Sequence, residues 1–178
     1  MLKVTLDTNI FPIDDSLFKD KPVEIVVVSV TNRELENHNL SVELKKIDET
    51  AIWDESRWGQ AKWGPVIYET AVVGESRIGE SVVGNNKDVD VFERLLEIIS
   101  SGSFPKPGNR SNLKDGERRQ LRDAMILTAH IREGRDIFVT DDIKGFIGKN
   151  NEIRNKTEQL FKIKVVTKKE FINYLTKI

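Results

Sequence analysis

Leu2-Lys3-Val4-Thr5-Leu6-Asp7-Thr8-Asn9 alternates apolar and polar residues and then stops at a polar turn. Period-two alternation reads as a strand, and Asp-Thr-Asn as turn chemistry at its carboxyl end. An acid at that point bears on function, because open α/β sheets gather their sites beyond the carboxyl ends of the strands. Working outward, residues 23–30 form a β-branched run that reads as a buried strand. Thr31-Asn32-Arg33-Glu34 then fits a capping box opening a helix to about Leu40.

Further on, Asp88, Val91, Phe92, Leu95, Leu96 and Ile99 have helical spacing over 88–100, and the Gly-, Pro- and Ser-rich stretch 101–112 reads as a loop. A longer helix is expected from about Asp115 to Arg132, closed by Gly134. Ile137-Phe138-Val139-Thr140 is a short strand ending at Asp141-Asp142. A helix near Glu152–Leu160, a strand at Lys162–Val166 and a helix at Lys168–Thr176 complete the chain. Strands alternating with helices imply an α/β layer fold around a central, largely parallel sheet.

A chain of 178 residues fits a single domain. With no cysteine it has neither disulfides nor thiolate metal sites, which suits a reducing cytoplasm. Met1–Asp7 lacks the features of a signal peptide, and no stretch approaches 18 uninterrupted apolar residues, so a cytoplasmic protein without a membrane span is expected. The net charge of −1 is unevenly spread: residues 1–100 carry 11 Lys and Arg against 19 Asp and Glu, and residues 101–178 carry 17 against 10. An acidic front half and a basic back half suit a carboxylate site beside a polyanion-binding surface, although an ordinary solvated surface has the same counts.

Residues 50–84 follow a different rule. In fives they read TAIWD, ESRWG, QAKWG, PVIYE, TAVVG, ESRIG, ESVVG, with Trp53, Trp58, Trp63, Tyr68, Val73, Ile78 and Val83 all in the fourth place. A period of five matches neither helix nor plain strand, and the recurrent glycine opposes helix. The pattern resembles pentapeptide-repeat proteins, whose chain turns a corner every five residues. Pro65 and Glu69 interrupt it, and if four pentads close one coil the stretch makes fewer than two coils. It is therefore expected as a β-rich insertion at about 50–86, packed on the main domain or on another chain. The strict phase of the aromatic residues favours a buried role over base stacking.

Four acids fall where such a sheet would gather them. Asp7 ends the first strand, Glu34 follows the second, Asp142 lies past the strand ending at Thr140, and Asp123 stands inside a helix one turn before Ile126 and Leu127. Clustered carboxylates repel one another unless a divalent cation neutralises them. Hard oxygen donors without cysteine select Mg²⁺ or Mn²⁺, whose natural chemistry is in-line attack of water on a phosphodiester.

Leu6-Asp7-Thr8-Asn9, Glu34-Leu35, Asp123-Ala124-x-Ile126 and Val139-Thr140-Asp141-Asp142 with Phe146 resemble, in order, the motif set of PIN-domain nucleases. The likeness covers residues 2–46 and 115–148. It implies an α/β/α sandwich and a Mg²⁺- or Mn²⁺-dependent endoribonuclease. Asp7, Glu34, Asp123 and Asp142 would be the catalytic acids, Asp141 a neighbour or substitute metal ligand, and Asn9 and Thr140 their polar supports. It also implies an RNA substrate. Many members are toxins partnered by an antitoxin protein, others process ribosomal RNA, and PIN domains often form homodimers. The pentad insert departs from the compact toxins.

Each acid also has a structural reading. Asp7 caps a turn, Glu34 closes the capping box with Glu36 in reserve, and Asp141 or Asp142 caps the following helix. Asp123 has no cap to serve. His38 and His130 lack ligand spacing and read as a surface and a helix-flank residue. Lys114, Arg118, Arg119 and Arg122, with Arg110, form a candidate RNA-contacting patch or a solvated helix face. The alternative function is a non-catalytic PIN-like module that binds a partner or RNA through the repeat insert.

Overall fold

The structure is a computed structural model that describes residues 1–38, 40, 44–51, 81–83, 85–107, 109–110 and 112–178, with the backbone alone at 49–51 and 81–83. The chain divides into two compact units, one formed by Met1–Ile47 with His130–Ile178 and the other by Asp48–Ala129.

The first unit is built on five strands: β1 (Leu2–Leu6), β2 (Val23–Val28), β3 (Lys45–Ile47), β6 (Ile137–Val139) and β7 (Lys164–Val166). β4 (Glu49–Ala51) and β5 (Ser81–Val83) belong to the second unit. The order in the sheet is β3-β2-β1-β6-β7, and every pairing is parallel. The α/β class and the parallel sheet expected from the sequence are thus present. The first strand is the middle one because its neighbours, Ile25–Val28 and Ile137–Val139, are continuous buried runs that need cover on both faces.

Register places Leu6 beside Val27 and Val139, and Val139 beside Val166. These residues share one face with Val4, Ile25 and Ile137 and pack under Phe171 and Leu175 of the terminal helix, Lys168–Leu175. Thr5, Val26, Phe138 and Val165 are aligned on the opposite face. There the fully buried His130 meets Thr5, with Nδ1 2.9 Å from the hydroxyl, and its ring stands edge-on to Phe138 at 5.7 Å. His130 is therefore a core residue of the sheet rather than a helix-flank one.

After β1 the chain adds β2 and β3 on one side, then returns to lay β6 and β7 on the other. The reversal point lies between β1 and β6, where a crevice opens at the carboxyl ends of open α/β sheets. Asp7 and Thr140-Asp141-Asp142 follow those two strand ends directly.

Five α-helices lie among the described residues. The first, α1 (Ser29–Asn37), begins earlier than the capping-box reading requires, and no side chain caps it. It starts where strand pairing stops, so Thr31 lies inside the helix, buried, with no hydrogen-bond partner for its hydroxyl. The others are α2 (Asn86–Ile99), α3 (Asp115–Arg132), α4 (Glu152–Phe161) and α5 (Lys168–Leu175). Gly134, with φ +56°, follows α3 as expected. Lys162 takes a left-handed conformation to end α4, which delays β7 to Lys164.

In the second unit α2 carries the capping box that α1 lacks: Asn85 accepts from the amides of Lys87 and Asp88, and Asp88 accepts from the amide of Asn85. β4 and β5 pair in parallel, Glu49 opposite Ser81. That offset of 32 residues (81 − 49) is not a multiple of five, so this pair does not keep the pentad phase. The pentads at 52–80 lie outside the described residues. No helix among the described residues is long and apolar enough to cross a membrane.

Burial pushes the pKa of His130 down to about 3, with the positive charge of Arg135 acting in the same direction. The neutral ring therefore contributes stability that is complete above its unfolded value near 6.5 and lost as pH falls. Between pH 6.5 and 5, His130→Phe should gain about 2 kcal/mol on the parent chain, read as the difference between urea unfolding free energies at the two pH values.

Candidate active site

Asp7 is 4% exposed and is held by three donors. Oδ1 accepts from the Thr8 amide at 2.8 Å; Oδ2 accepts from the Thr140 hydroxyl at 2.7 Å and from Asn9 Nδ2 at 2.9 Å. Asn9 reaches the next strand end as well, its Oδ1 accepting from the Asp141 amide at 2.8 Å. The Thr140 hydroxyl in turn accepts from the Asp142 amide at 3.0 Å. The polar turns after β1 and β6 are thus one hydrogen-bonded unit across the reversal point.

Desolvation by burial raises the pKa of Asp7 to about 7. The bonds from Thr140 and Thr8 pull it down, and the charges of Glu34 and Asp142 push it further up. Two of the other three expected acids, Glu34 and Asp142, therefore bear on Asp7 here. Glu34 stands in the second turn of α1, half-buried, and accepts a short hydrogen bond from the Thr8 hydroxyl. It closes no capping box, because α1 starts at Ser29. Glu36, the reserve, is exposed and bound to Asn32 at 2.6 Å, with Lys46 at 3.9 Å.

The structure gives Asp141 and Asp142 different backbone partners. Asp141 Oδ1 accepts from the backbone amide of Lys168 at 2.9 Å, which ties the end of β6 to the start of α5. Asp142 Oδ1 accepts from the amides of Lys144 and Gly145 and so caps the single helical turn Ile143–Ile147. Its Oδ2 carries no hydrogen bond among the described residues. Each aspartate thus spends Oδ1 on backbone amides, Asp141 at the start of α5 and Asp142 in its own turn, and of the two it is Asp142 whose charge bears on Asp7.

Asp123 lies in the second unit, buried in the interior of α3 at 9% exposure. Lys114 and Arg119 are exposed there, and Arg118 and Arg122 are half-buried. Arg110 does not belong with an open patch: it is buried, forms a two-pronged bond with Glu93 at 2.7 and 2.6 Å, and lies over the Phe104 ring. A guanidinium so engaged has few donors left for phosphate.

The donor set at the reversal point is all oxygen, which suits Mg²⁺ or Mn²⁺, and the mutual repulsion at Asp7 is what a divalent charge relieves. Among the described residues no three His, Asp or Glu side chains stand close enough together to hold one ion. The fit is therefore one of chemistry and charge at Asp7, Glu34 and Asp142, without a closed coordination shell.

Sequence reasoning missed Thr8 as the holder of Glu34, although it lies in the opening motif between two residues already singled out. It also missed Lys168, whose Nζ donates to the carbonyls of Ile10 at 2.9 Å and Pro12 at 2.7 Å. No family model matches the chain, and neither a curated protein nor a solved structure is similar to it.

A carboxylate raised from 3.8 to about 7 contributes stability that is complete below its unfolded pKa and lost as pH rises through 7. In EDTA, the parent chain should therefore lose stability relative to Asp7→Asn between pH 4 and 7, by on the order of 4 kcal/mol at most. Thermal unfolding of the two proteins across that range checks the sign: parallel curves would show that Asp7 titrates normally.

Proposed function

We propose that this protein is a Mg²⁺- or Mn²⁺-dependent ribonuclease of the PIN type, with an α/β/α core. The observation that carries this reading is the buried Asp7 carboxylate at the sheet's reversal point, raised to about 7 and in the field of Glu34 and Asp142. An acid perturbed by burial together with specific charged neighbours, at such a position, is a candidate functional group. The order of the acidic motifs along the chain supports the same family.

Asp7 and Asp142 would hold the ion, with Glu34 beside them. When bound, it supplies the charge that neutralises these acids and activates water against a phosphodiester. The protein's own part is to fix the donors. Thr140 and Asn9 orient Asp7 Oδ2, and Thr8 orients Asp7 Oδ1 and Glu34 together. Asp142 keeps Oδ2 available while its other oxygen anchors the following turn. Asp123 belongs to the proposal through its sequence motif alone. The exposed Lys114 and Arg119 suit phosphate contacts in the second unit.

The absence of a three-acid cluster among the described residues favours a second reading, a non-catalytic PIN-like module that binds RNA or a protein such as an antitoxin. Cleavage assays separate the two. With Mn²⁺ and single-stranded or structured RNA, Asp7→Asn and Asp142→Asn should each lower the rate by at least about 100-fold, beyond the 10–100-fold typical of residues supporting a metal site. Asp123→Asn tests its motif separately. Cleavage that persists in EDTA, or no cleavage of any RNA alongside intact RNA binding, would count against the nuclease.

A further inference from the structure

Lys168 is the first residue of α5, a poor place for a lysine because the amino end of a helix already carries partial positive charge. Its neighbour Lys169 remains exposed, whereas Lys168 is half-buried and turns its side chain away along the loop that follows β1. There its ammonium donates to the Ile10 and Pro12 carbonyls at 2.9 and 2.7 Å, across more than 150 residues of sequence. Its own backbone amide donates to Asp141 Oδ1 at 2.9 Å. One residue therefore holds the segments leaving both strand ends at the reversal point.

We propose that Lys168 is a positioning residue for the candidate site, acting on Asp7, Thr8 and Asn9 through the turn Thr8–Ile10. This inference rests on the nuclease reading. The turn is fixed on one side by the Asp7 amide bonded to the Val139 carbonyl at 3.0 Å. Internal bonds hold its middle: the Ile10 amide to the Asp7 carbonyl and the Phe11 amide to the Thr8 carbonyl. On the far side the ammonium of Lys168 fixes the carbonyls of Ile10 and Pro12. Without that charge the carbonyls at the far end of the turn lose their cation. Thr8 and Asn9, held otherwise by their own side-chain bonds and by the buried Ile10, then lose part of the restraint that orients Glu34 and Asp7. Two carbonyls facing a cation make charge-assisted bonds, about twice as strong as neutral ones. A neutral side chain of equal length cannot replace them.

Lys168→Met keeps the length and removes the charge, Lys168→Arg restores the charge, and Lys169→Met removes a charge from the same helix turn without touching the loop. Each variant is first checked for a native circular dichroism spectrum. Amide hydrogen exchange is then measured at Thr8, Ile10 and Phe11 without metal, together with Mn²⁺-dependent RNA cleavage. Lys168→Met should speed exchange at these amides by about tenfold or more and lower kcat by about 10–100-fold with little change in KM. Lys168→Arg should recover part of both losses, and Lys169→Met should match the parent. Exchange and kcat in Lys168→Met equal to those of Lys169→Met would overturn the proposal, as would faster exchange with unchanged kcat. If Lys168→Met misfolds, Lys168→Gln carries the same comparison. A parent protein that cleaves no RNA would overturn the nuclease reading, and the exchange rates would still decide whether Lys168 holds the turn.

Discussion

The hydrogen bond from the Thr140 hydroxyl to Asp7 Oδ2 joins the ends of two adjacent parallel strands where the sheet changes direction. It is formed inside the protein, where a carboxylate loses its hydration and needs donors from the chain itself. Its consequences spread along both turns. Asn9 must face Thr140 and the Asp141 amide, the Asp142 amide must point back to Thr140, and Thr8 is left turned toward Glu34. Two short polar stretches, at Asp7–Asn9 and Thr140–Asp142, so determine how the carboxyl edge of the sheet is arranged.

Burial at the central sheet drives both His130 and Asp7 toward their neutral forms, but leaves them at different points. His130 lies on one face against Thr5 and Phe138, is held neutral by burial, and has nothing charged to exchange with beyond Arg135. Asp7 lies at the strand end with other acids acting on it, so its protonation is poised near neutral pH. The first arrangement packs a core, and the second is the one on which the proposed cation would act. A buried acid balanced this way is costly to ionise without a counter-charge, and a cation that removes the cost would couple binding to stability.

Much of this was legible in the sequence because it is local. The alternation at Leu2–Leu6, the apolar run at Ile137–Val139 and the spacing in α2 each report burial of one residue at a time, and the elements lie within a few residues of their expected bounds. The start of α1 was not legible: Thr31 to Glu34 has the composition of a capping box, but the end of strand pairing at Val28, opposite Ile47 of β3, sets the helix start at Ser29. Asp141 and Asp142 look equivalent in sequence, and their different backbone partners, Lys168 far along the chain for one and Lys144 and Gly145 close by for the other, appear only in the fold. Arg110 resembled a free cation until Glu93, 17 residues earlier, was seen to grip it. Long-range partners of polar side chains leave no periodic trace, which is why the sheet was easier to read than its site.

The central claim is that Asp7 is a buried acid whose ionisation is completed by a divalent cation. It is tested most directly by following the Asp7 side-chain carboxyl carbon by ¹³C NMR as pH is varied, first in EDTA and then with Mg²⁺. The account predicts a midpoint near 7 without metal that moves down by at least about one unit when Mg²⁺ is added. A midpoint near 4 that ignores Mg²⁺ would contradict it.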